Sequence, residues 1–425
     1  MSRFTGIIGI IIILGLAFLW SNNRKAINLR LVVTGLLLQL ALAIFILKVP
    51  VGQDIFAWLG KVINKLLDFS QEGGLFVFGD LTKVSEILPP AIVSGGVFLF
   101  TLLPTIIFVC VLVAMAYHVG IMQRVVAVLA RFMHWAMRVS GSEALSNVAS
   151  AFVGQVEAQI MIRPYLSGMT MSELLASMTG SMACIAGGVM AVYISMGVPA
   201  SYLLAASLMA APGALVISKI VFPETQESET KGVVKIEVKK EQTNIMDAIS
   251  HGASDGMAIS INVIAMLIGV IALVALVDAL LGYFGLFLGW TGLSLDFIGL
   301  DVNSLRLKDV FGAFFSLFAI VMGVPVAESF DVGSLMGTKM VINEFVAYSD
   351  LAPMIQQGAL SPKSIVIASF ALCGFANFSS IAIQLGGIGA MVPSRKADLA
   401  RLGFKAMICG TMASYISASL AGILM

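Results

Sequence analysis

Two carboxylates lie in stretches that are otherwise apolar or uncharged. Glu157 falls between Val153 and Ile160, and Glu344 between Ile342 and Val346. Each belongs to a short polar motif, GQVEAQ (Gly154–Gln159) and NEFVAY (Asn343–Tyr348). An acidic residue at the centre of a membrane-spanning helix costs ~2.5–3.5 kcal/mol on insertion scales, so an idle one is disfavoured. Gln155 and Asn377 each add a carbonyl acceptor and an amide donor pair, and Ser379 and Ser380 add hydroxyls. Such a set suits an uncharged, polyhydroxylated, hydrogen-bonding solute. It suits an anion poorly, because neither motif itself contains an Arg or Lys, with Lys339 lying just before the second. Phe375 and Phe378 could stack on a flat ring, although an aromatic in such a helix more often packs in a core.

The elements that position these residues must cross a bilayer. Apolar residues make up 59% of the 425-residue chain and charged residues 12%, against about 25% charged in a soluble domain. The mean hydropathy is +0.99. A net charge of +1 leaves no broad basic face for nucleic acid. Cys110, Cys184, Cys373 and Cys409 are far apart in apolar segments, and His118, His134 and His251 form no metal-ligand pair. No nucleophile–base pair or metal cluster is visible, which argues against an enzyme. The apolar run Gly6–Trp20 lacks a cleavage site and reads as a retained first span.

A span needs ~20 apolar residues. Full-length candidates are Thr5–Ser21, Leu31–Lys48, Val97–His118, Met190–Pro212 with its continuation to Val221, Ile259–Phe284 and Gly403–Met425. Basic residues between the first two spans (Arg24, Lys25, Arg30), after the third (Arg124, Arg131, Arg138) and before the last (Arg395, Lys396, Arg401, Lys405) place those loops in the cytoplasm and both termini outside. Val51–Gly73 reads as an amphipathic helix on the outer face. Pro223–Thr243 is the one charged stretch and reads as a solvated cytoplasmic connector.

Residues 141–189 and 308–390 are apolar on average but interrupted by Gly, Pro, Ser, Asn and acidic residues. Such breaks are tolerated at membrane depth where backbone lines a polar cavity or is buried in protein. The two halves share a pattern: GQVEAQ is followed by ACIAGGV (Ala183–Val189), and NEFVAY by CGFANFSS (Cys373–Ser380). Paired interrupted segments point to the binding site of a repeat-built transporter. Glycines appear dense where the helices break, at Gly187 and Gly188 and at Gly374, Gly386, Gly387 and Gly389.

With these motifs in place, the whole chain resembles the concentrative nucleoside transporter family. EGGLFVFG (Glu72–Gly79), GQVEAQ with IRPY (Ile162–Tyr165), MGVP (Met322–Pro325), NEFVAY, ALCGFANFSSIAI (Ala371–Ile383) and PSRKADLA (Pro393–Ala400) carry the resemblance in order. It implies an all-α polytopic membrane protein with eight transmembrane helices and two re-entrant helical hairpins. An inverted-repeat transport domain would move on a trimerising scaffold by an elevator motion, in a homotrimer embedded in lipid in the bacterial inner membrane. Residues 1–140 would be scaffold and interfacial helices, and 141–222 the first hairpin, broken helix and following span. Residues 223–257 would be the connector, 258–307 a scaffold helix and outer-face segment, 308–397 the second hairpin and broken helix, and 398–425 the last span. The first hairpin is expected at about Gly141–Gly168 and the second at about Lys308–Asp350.

Carried over by motif, Gln155, Val156, Glu157 and Val189 would face the nucleobase. Glu344, Asn377 and Ser380 would hold the ribose hydroxyls, with Phe375 against a uridine-like nucleoside. The family's sodium site maps to Ser150, Val153, Cys184 and Ile185, the second and fourth through backbone carbonyls. Three positions depart from the family pattern. Val156 stands where Thr or Ser is common, Ser150 where the sodium site uses Asn, and Cys184 where it uses a hydroxyl. A thiol is a poor ligand for a hard cation. The resemblance therefore implies nucleoside symport with sodium favoured and the proton possible, and an uncoupled facilitator as the remaining alternative.

Overall fold

The computed structural model describes residues 2–79, 81, 97–230, 242–291 and 305–425. Residues 231–241 of the expected connector and 292–304 of the expected outer-face segment lie outside them. Among the described residues the chain is helical, without strands. The first half runs α1 (Ser2–Leu19), α2 (Leu29–Leu47), α3 (Pro50–Phe78), α4 (Val97–Val119), α5 (Ile121–Met137), α6 (Gly141–Ser150), the single turn α7 (Glu157–Ile160), α8 (Met171–Ala183), α9 (Gly187–Ser195) and α10 (Ala200–Val221). The second runs α11 (Ile245–Trp290), α12 (Leu307–Met322), α13 (Val326–Val341), α14 (Glu344–Gln356), α15 (Pro362–Leu372), α16 (Phe378–Met391) and α17 (Lys396–Leu424). Five described spans are long and apolar enough to cross a membrane, or seven if two bent pairs each count as one.

The helix starts are written in local chemistry. Ser140 with Glu143 and Thr170 with Glu173 form capping boxes that open α6 and α8. Asn28, Asn244, Asn343, Ser361 and Asn377 cap five further helices through their side-chain oxygens. The core lies where α8, α10 and α15 pack on α17. That last helix is rich in small residues on its buried faces, including Gly410, Ala413, Ser414, Ser417 and Ala421, which lets neighbouring backbones approach closely. Gln39 of α2 is fully buried and donates to the Met209 carbonyl of α10 at 3.0 Å and to Ser417 Oγ of α17 at 3.1 Å. It ties the second helix to this core.

Four expectations need correction. Met190–Pro212 is not one span. The chain breaks between α9 and α10, with Gly197 at φ +105° and Pro199 capping α10, because a proline cannot continue the preceding helix. Residues 308–350 form three helices rather than one hairpin. The MGVP segment makes a 118° bend between α12 and α13, with Gly323 at φ +108°, and the chain breaks again at Ile342–Asn343. Glu344 therefore sits at the turn between α13 and α14. Gly386, Gly387 and Gly389 lie inside α16 and not at its break. Finally, Pro223–Thr230 is not simply solvated. Thr230 is buried, its carbonyl accepts from the Gly141 amide at 3.1 Å, and its hydroxyl meets Ser142 Oγ at 2.9 Å.

One group of polar and charged contacts ties several helices together. The Asn22 amide donates to the Val221 carbonyl at 2.9 Å, and Lys405 Nζ donates to Asn22 Oδ1 at 2.9 Å. Lys219 is buried and pairs with Glu143 at the start of α6. It also donates to Ser172 Oγ at 2.9 Å and to Glu224 Oε2 at 3.3 Å. Arg395 donates to the carbonyls of Ser167 and Met169 at 3.0 and 2.7 Å and pairs with Asp398. The base of the 141–168 segment is thus pinned from both sides. Removing one member of a buried ion pair strands the other, which costs about 3–5 kcal/mol. Lys219→Met is expected to lower the thermal midpoint in detergent accordingly, and Lys219→Met with Glu143→Gln to recover part of the loss. A wild-type midpoint in the single variant would contradict this role for the pair.

Candidate functional site

Both broken helices expose backbone at matching places. The first breaks at Cys184–Ala186, between α8 and α9, and the second at Cys373–Asn377, between α15 and α16. The breaks satisfy each other. The Phe375 amide donates to the Cys184 carbonyl at 3.3 Å, and the Gly187 amide donates to the Phe152 carbonyl at 3.1 Å. Gly374 holds φ +111°, and a side chain there would run into the carbonyls of Met182 and Ala183. Glycine is required by both its dihedral angle and this close approach.

Asn377 is the hinge of the polar chemistry. Its Oδ1 accepts from the Ser380 amide at 2.9 Å and from Ser379 Oγ at 2.7 Å, capping α16. That cap determines which way the amide points, so Nδ2 is left to donate to Glu344 Oε2 at 2.9 Å. The other oxygen of Glu344 accepts from Tyr193 OH at 3.0 Å. Ser380 Oγ accepts from Gln155 Nε2 at 3.2 Å, and Gln155 Oε1 accepts from Gln384 Nε2 at 3.4 Å. A chain of hydrogen bonds and one helix cap therefore runs from Tyr193 through Glu344, Asn377 and Ser380 to Gln155 and Gln384. It joins the 141–168 segment, α9, the α13–α14 turn and α16. All six residues are buried.

Of the residues singled out from sequence, Gln155, Glu344, Asn377 and Ser380 come together in this network. Val156 packs on Gly387 of α16, and Val189 and Phe375 are half-buried beside the breaks. Glu157 is exposed and makes no hydrogen bond to the network. Its carboxylate folds back over Gly154, and Cys110 and Tyr117 of α4 lie within its electrostatic reach. Tyr193 and Gln384 were not singled out. Gln384 was visible as a lone amide in the apolar run IAIQLGG, whereas a tyrosine in AVYIS carries no signal of its partner. Tyr193 is held by stacking on Tyr348 at 4.4 Å between ring centroids, and Tyr348 OH donates to the Ser369 carbonyl at 2.7 Å.

The four residues mapped to the sodium site differ in their engagement. Ser150 Oγ donates to the Ser146 carbonyl at 2.7 Å and lies 3.0 Å from Ser181 Oγ. Ser181 in turn accepts from Gln159, which exchanges hydrogen bonds with Ser177. The Cys184 thiol is directed at the Ser207 carbonyl, 3.7 Å away. Among the described residues no hydrogen-bond donor reaches the carbonyl oxygens of Val153 and Ile185, which both leave regular helix.

Comparison with known proteins covers nearly the whole length. Residues 8–81 match the family profile described as Na+ dependent nucleoside transporter N-terminus, 99–200 the one described as Nucleoside recognition, and 202–422 the one described as Na+ dependent nucleoside transporter C-terminus. An uncharacterized transporter of Haemophilus influenzae is 42% identical, covering 100% of this chain and 98% of its own. The nucleoside permease NupC of Helicobacter pylori is 35% identical over 99% and 98%, respectively. Sodium/nucleoside cotransporter 2 of Rattus norvegicus is 38% identical, covering 100% of this chain and 62% of the rat protein. Among solved structures, CNTnw in an inward-facing substrate-bound state aligns with a TM-score of 0.90 at 40% identity, over 100% of this chain and 98% of that one. A CNTnw variant in an outward-facing state aligns with the same TM-score at 39% identity over the same shares.

The two kinds of glycine in this region should respond oppositely to a methyl group. Gly374→Ala must relieve both strain and a backbone clash and is expected to cost about 1–3 kcal/mol. Gly386→Ala meets nothing within 4 Å inside α16, and is expected to gain roughly 0.5–1 kcal/mol from helix propensity. Thermal unfolding of both variants in detergent reads the difference. Equal midpoints would refute the assignment of Gly374 to the break.

Proposed function

The chain belongs to the Na+-dependent nucleoside transporter family, and on that premise we propose that it imports nucleosides such as uridine together with sodium. It is a multi-pass membrane transporter and not an enzyme. The observation that carries the substrate reading is the bonded network from Glu344 through Asn377 and Ser380 to Gln155. Ribose presents hydroxyls that a carboxylate accepts, and a nucleobase edge presents alternating donors and acceptors that a carboxamide matches. Glu344, Asn377 and Ser380 would take the ribose hydroxyls, and Gln155, Val156, Glu157 and Val189 would face the base, with Phe375 against the bound solute. Such a solute would exchange its own hydrogen bonds for those the network makes with itself.

Sodium is favoured as the coupled ion because no donor among the described residues meets the carbonyls of Val153 and Ile185, which suit a hard cation. Ser150 would add a hydroxyl, and Cys184 would contribute little. The engagement of Ser150 with Ser146 and Ser181, and of the Cys184 thiol with Ser207, favours the proton as the alternative coupled ion. An uncoupled facilitator is the third reading. Coupling requires that ion and nucleoside each stabilise the same closed state of the site. The first family-like hairpin, residues 141–168, and the α13–α14 turn would move with the broken helices as a transport domain, in an elevator motion. The remaining helices would act as a trimerising scaffold, giving a homotrimer with eight spans per chain. In a bacterial inner membrane the basic loops would face the cytoplasm, leaving both termini outside.

Uridine uptake into proteoliposomes under an imposed inward sodium gradient is expected to exceed equilibrium, and Ser150→Asn to steepen its sodium dependence. Uptake driven by a proton gradient alone would transfer the assignment to the proton. Absence of gradient-driven uptake of any nucleoside would overturn symport. Glu344→Gln and Asn377→Ala are each expected to weaken uridine binding by on the order of 100-fold, the equivalent of about 2.7 kcal/mol. Equilibrium binding to the purified variants reads this directly, and wild-type affinity in either would refute the ribose assignment.

A further inference from the structure

Two lysines of the described residues are buried. Lys219 has three partners. Lys339 has none: its side chain is wholly enclosed, and no hydrogen-bond acceptor or carboxylate lies within bonding distance of Nζ. It sits in the last turn of α13, just before the chain breaks and Glu344 opens α14. The acid whose charge reaches it is Glu344. The other titratable group facing it is the Cys373 thiol at the second helix break.

Glu344 presents the complementary half of the arrangement. Both of its oxygens accept hydrogen bonds, from Tyr193 OH and from Asn377 Nδ2. An ionised carboxylate accepts at both oxygens, and these two contacts suit it. Both donors are neutral, so neither supplies a counter-charge. Tyr193 of α9, Tyr348 of α14, Lys339 of α13 and the Cys373 thiol at the second helix break are the titratable groups around it, and Lys339 is the one cation among the described residues. A lone buried charge is strongly disfavoured. Two opposite buried charges on one turn compensate through space, because attraction falls off slowly in a medium of low permittivity. The carbonyl end of α13 favours a cation at the same place.

We propose that Lys339 is a positioning residue that keeps Glu344 ionised from beyond contact distance. This rests on the reading that Glu344 takes solute hydroxyls. A direct Lys–Glu ion pair would occupy the carboxylate oxygens. A counter-ion held at a distance supplies the charge and leaves both oxygens to exchange neutral partners with a neutral solute. Glu344 then stays charged without help from the coupled ion, whose work lies elsewhere in the site.

The test compares Lys339→Met, Lys339→Arg and Lys339→Met with Glu344→Gln, each checked for monodispersity. At neutral pH the infrared spectrum of Lys339→Met should gain a protonated-carboxyl C=O stretch. That band should be absent from wild type, from Lys339→Arg and from the double variant. Uridine affinity of Lys339→Met should fall by on the order of tenfold near about pH 6, the equivalent of about one pKa unit, and recover toward about pH 9. Wild type and Lys339→Arg should follow one shallower profile. No protonated-carboxyl band in Lys339→Met, or an affinity loss equal at every pH, would overturn the proposal. The infrared reading reports the Glu344 proton itself, so it decides this point even if nucleoside uptake fails.

Discussion

A helix that stops inside a bilayer frees amide and carbonyl groups that no water is there to meet. The two central breaks of this protein answer that constraint with each other. Phe375 donates across to Cys184, Phe152 receives Gly187, and Asn377 caps the resumed helix with its own side chain. Gly374 makes the close approach possible. The placing of Asn377 and Ser380 is a consequence of where the second break falls. Capping spends the oxygen of Asn377 on the backbone, which aims its amide at Glu344, and places Ser380 within reach of Gln155.

The resulting network holds one carboxyl group among neutral partners. Carboxamide, hydroxyl and phenol surround a single buried carboxylate, with a buried lysine one turn away across the break. Fully satisfied polar networks rigidify a site, whereas partly satisfied ones are costly. Here each group keeps a protein partner while still offering an atom to a solute of similar hydrogen-bonding capacity. The charged cluster around Lys219 and Arg395 works differently. Lys219, Glu143 and Glu224 bind one another, and Arg395 grips the carbonyls that end the 141–168 segment. That end is clamped, while the tip near Gln155 meets the site.

Much of this was legible in the chain itself. The cost of placing a charge in lipid singles out Glu157 and Glu344 alike, and of the two Glu344 is buried in the network while Glu157 is exposed. The runs around Cys184 and Cys373 announced broken helices, and both are broken where expected. Local capping signals are equally direct, since Ser140 with Glu143 and Thr170 with Glu173 require only neighbouring residues. Length and hydropathy misjudged Met190–Pro212, because an apolar run does not report a turn made by Gly197 and Pro199 until its dihedral angles are known. Glycine density misled in the same way at Gly386, Gly387 and Gly389, where helix geometry is undisturbed.

Residue type and spacing determined that this chain spans a membrane, that its helices break twice in matching places, and that Gln155, Glu344, Asn377 and Ser380 carry polar chemistry. Those properties depend on transfer energies and on contacts between near neighbours in sequence. Only the tertiary structure decided that Tyr193 and Gln384 complete the network, that Glu157 stands apart from it, and that among the described residues Lys339 has no partner where Lys219 has three. Each of these rests on pairs far apart along the chain, whose meeting is set by how helices pack and not by what any one segment contains.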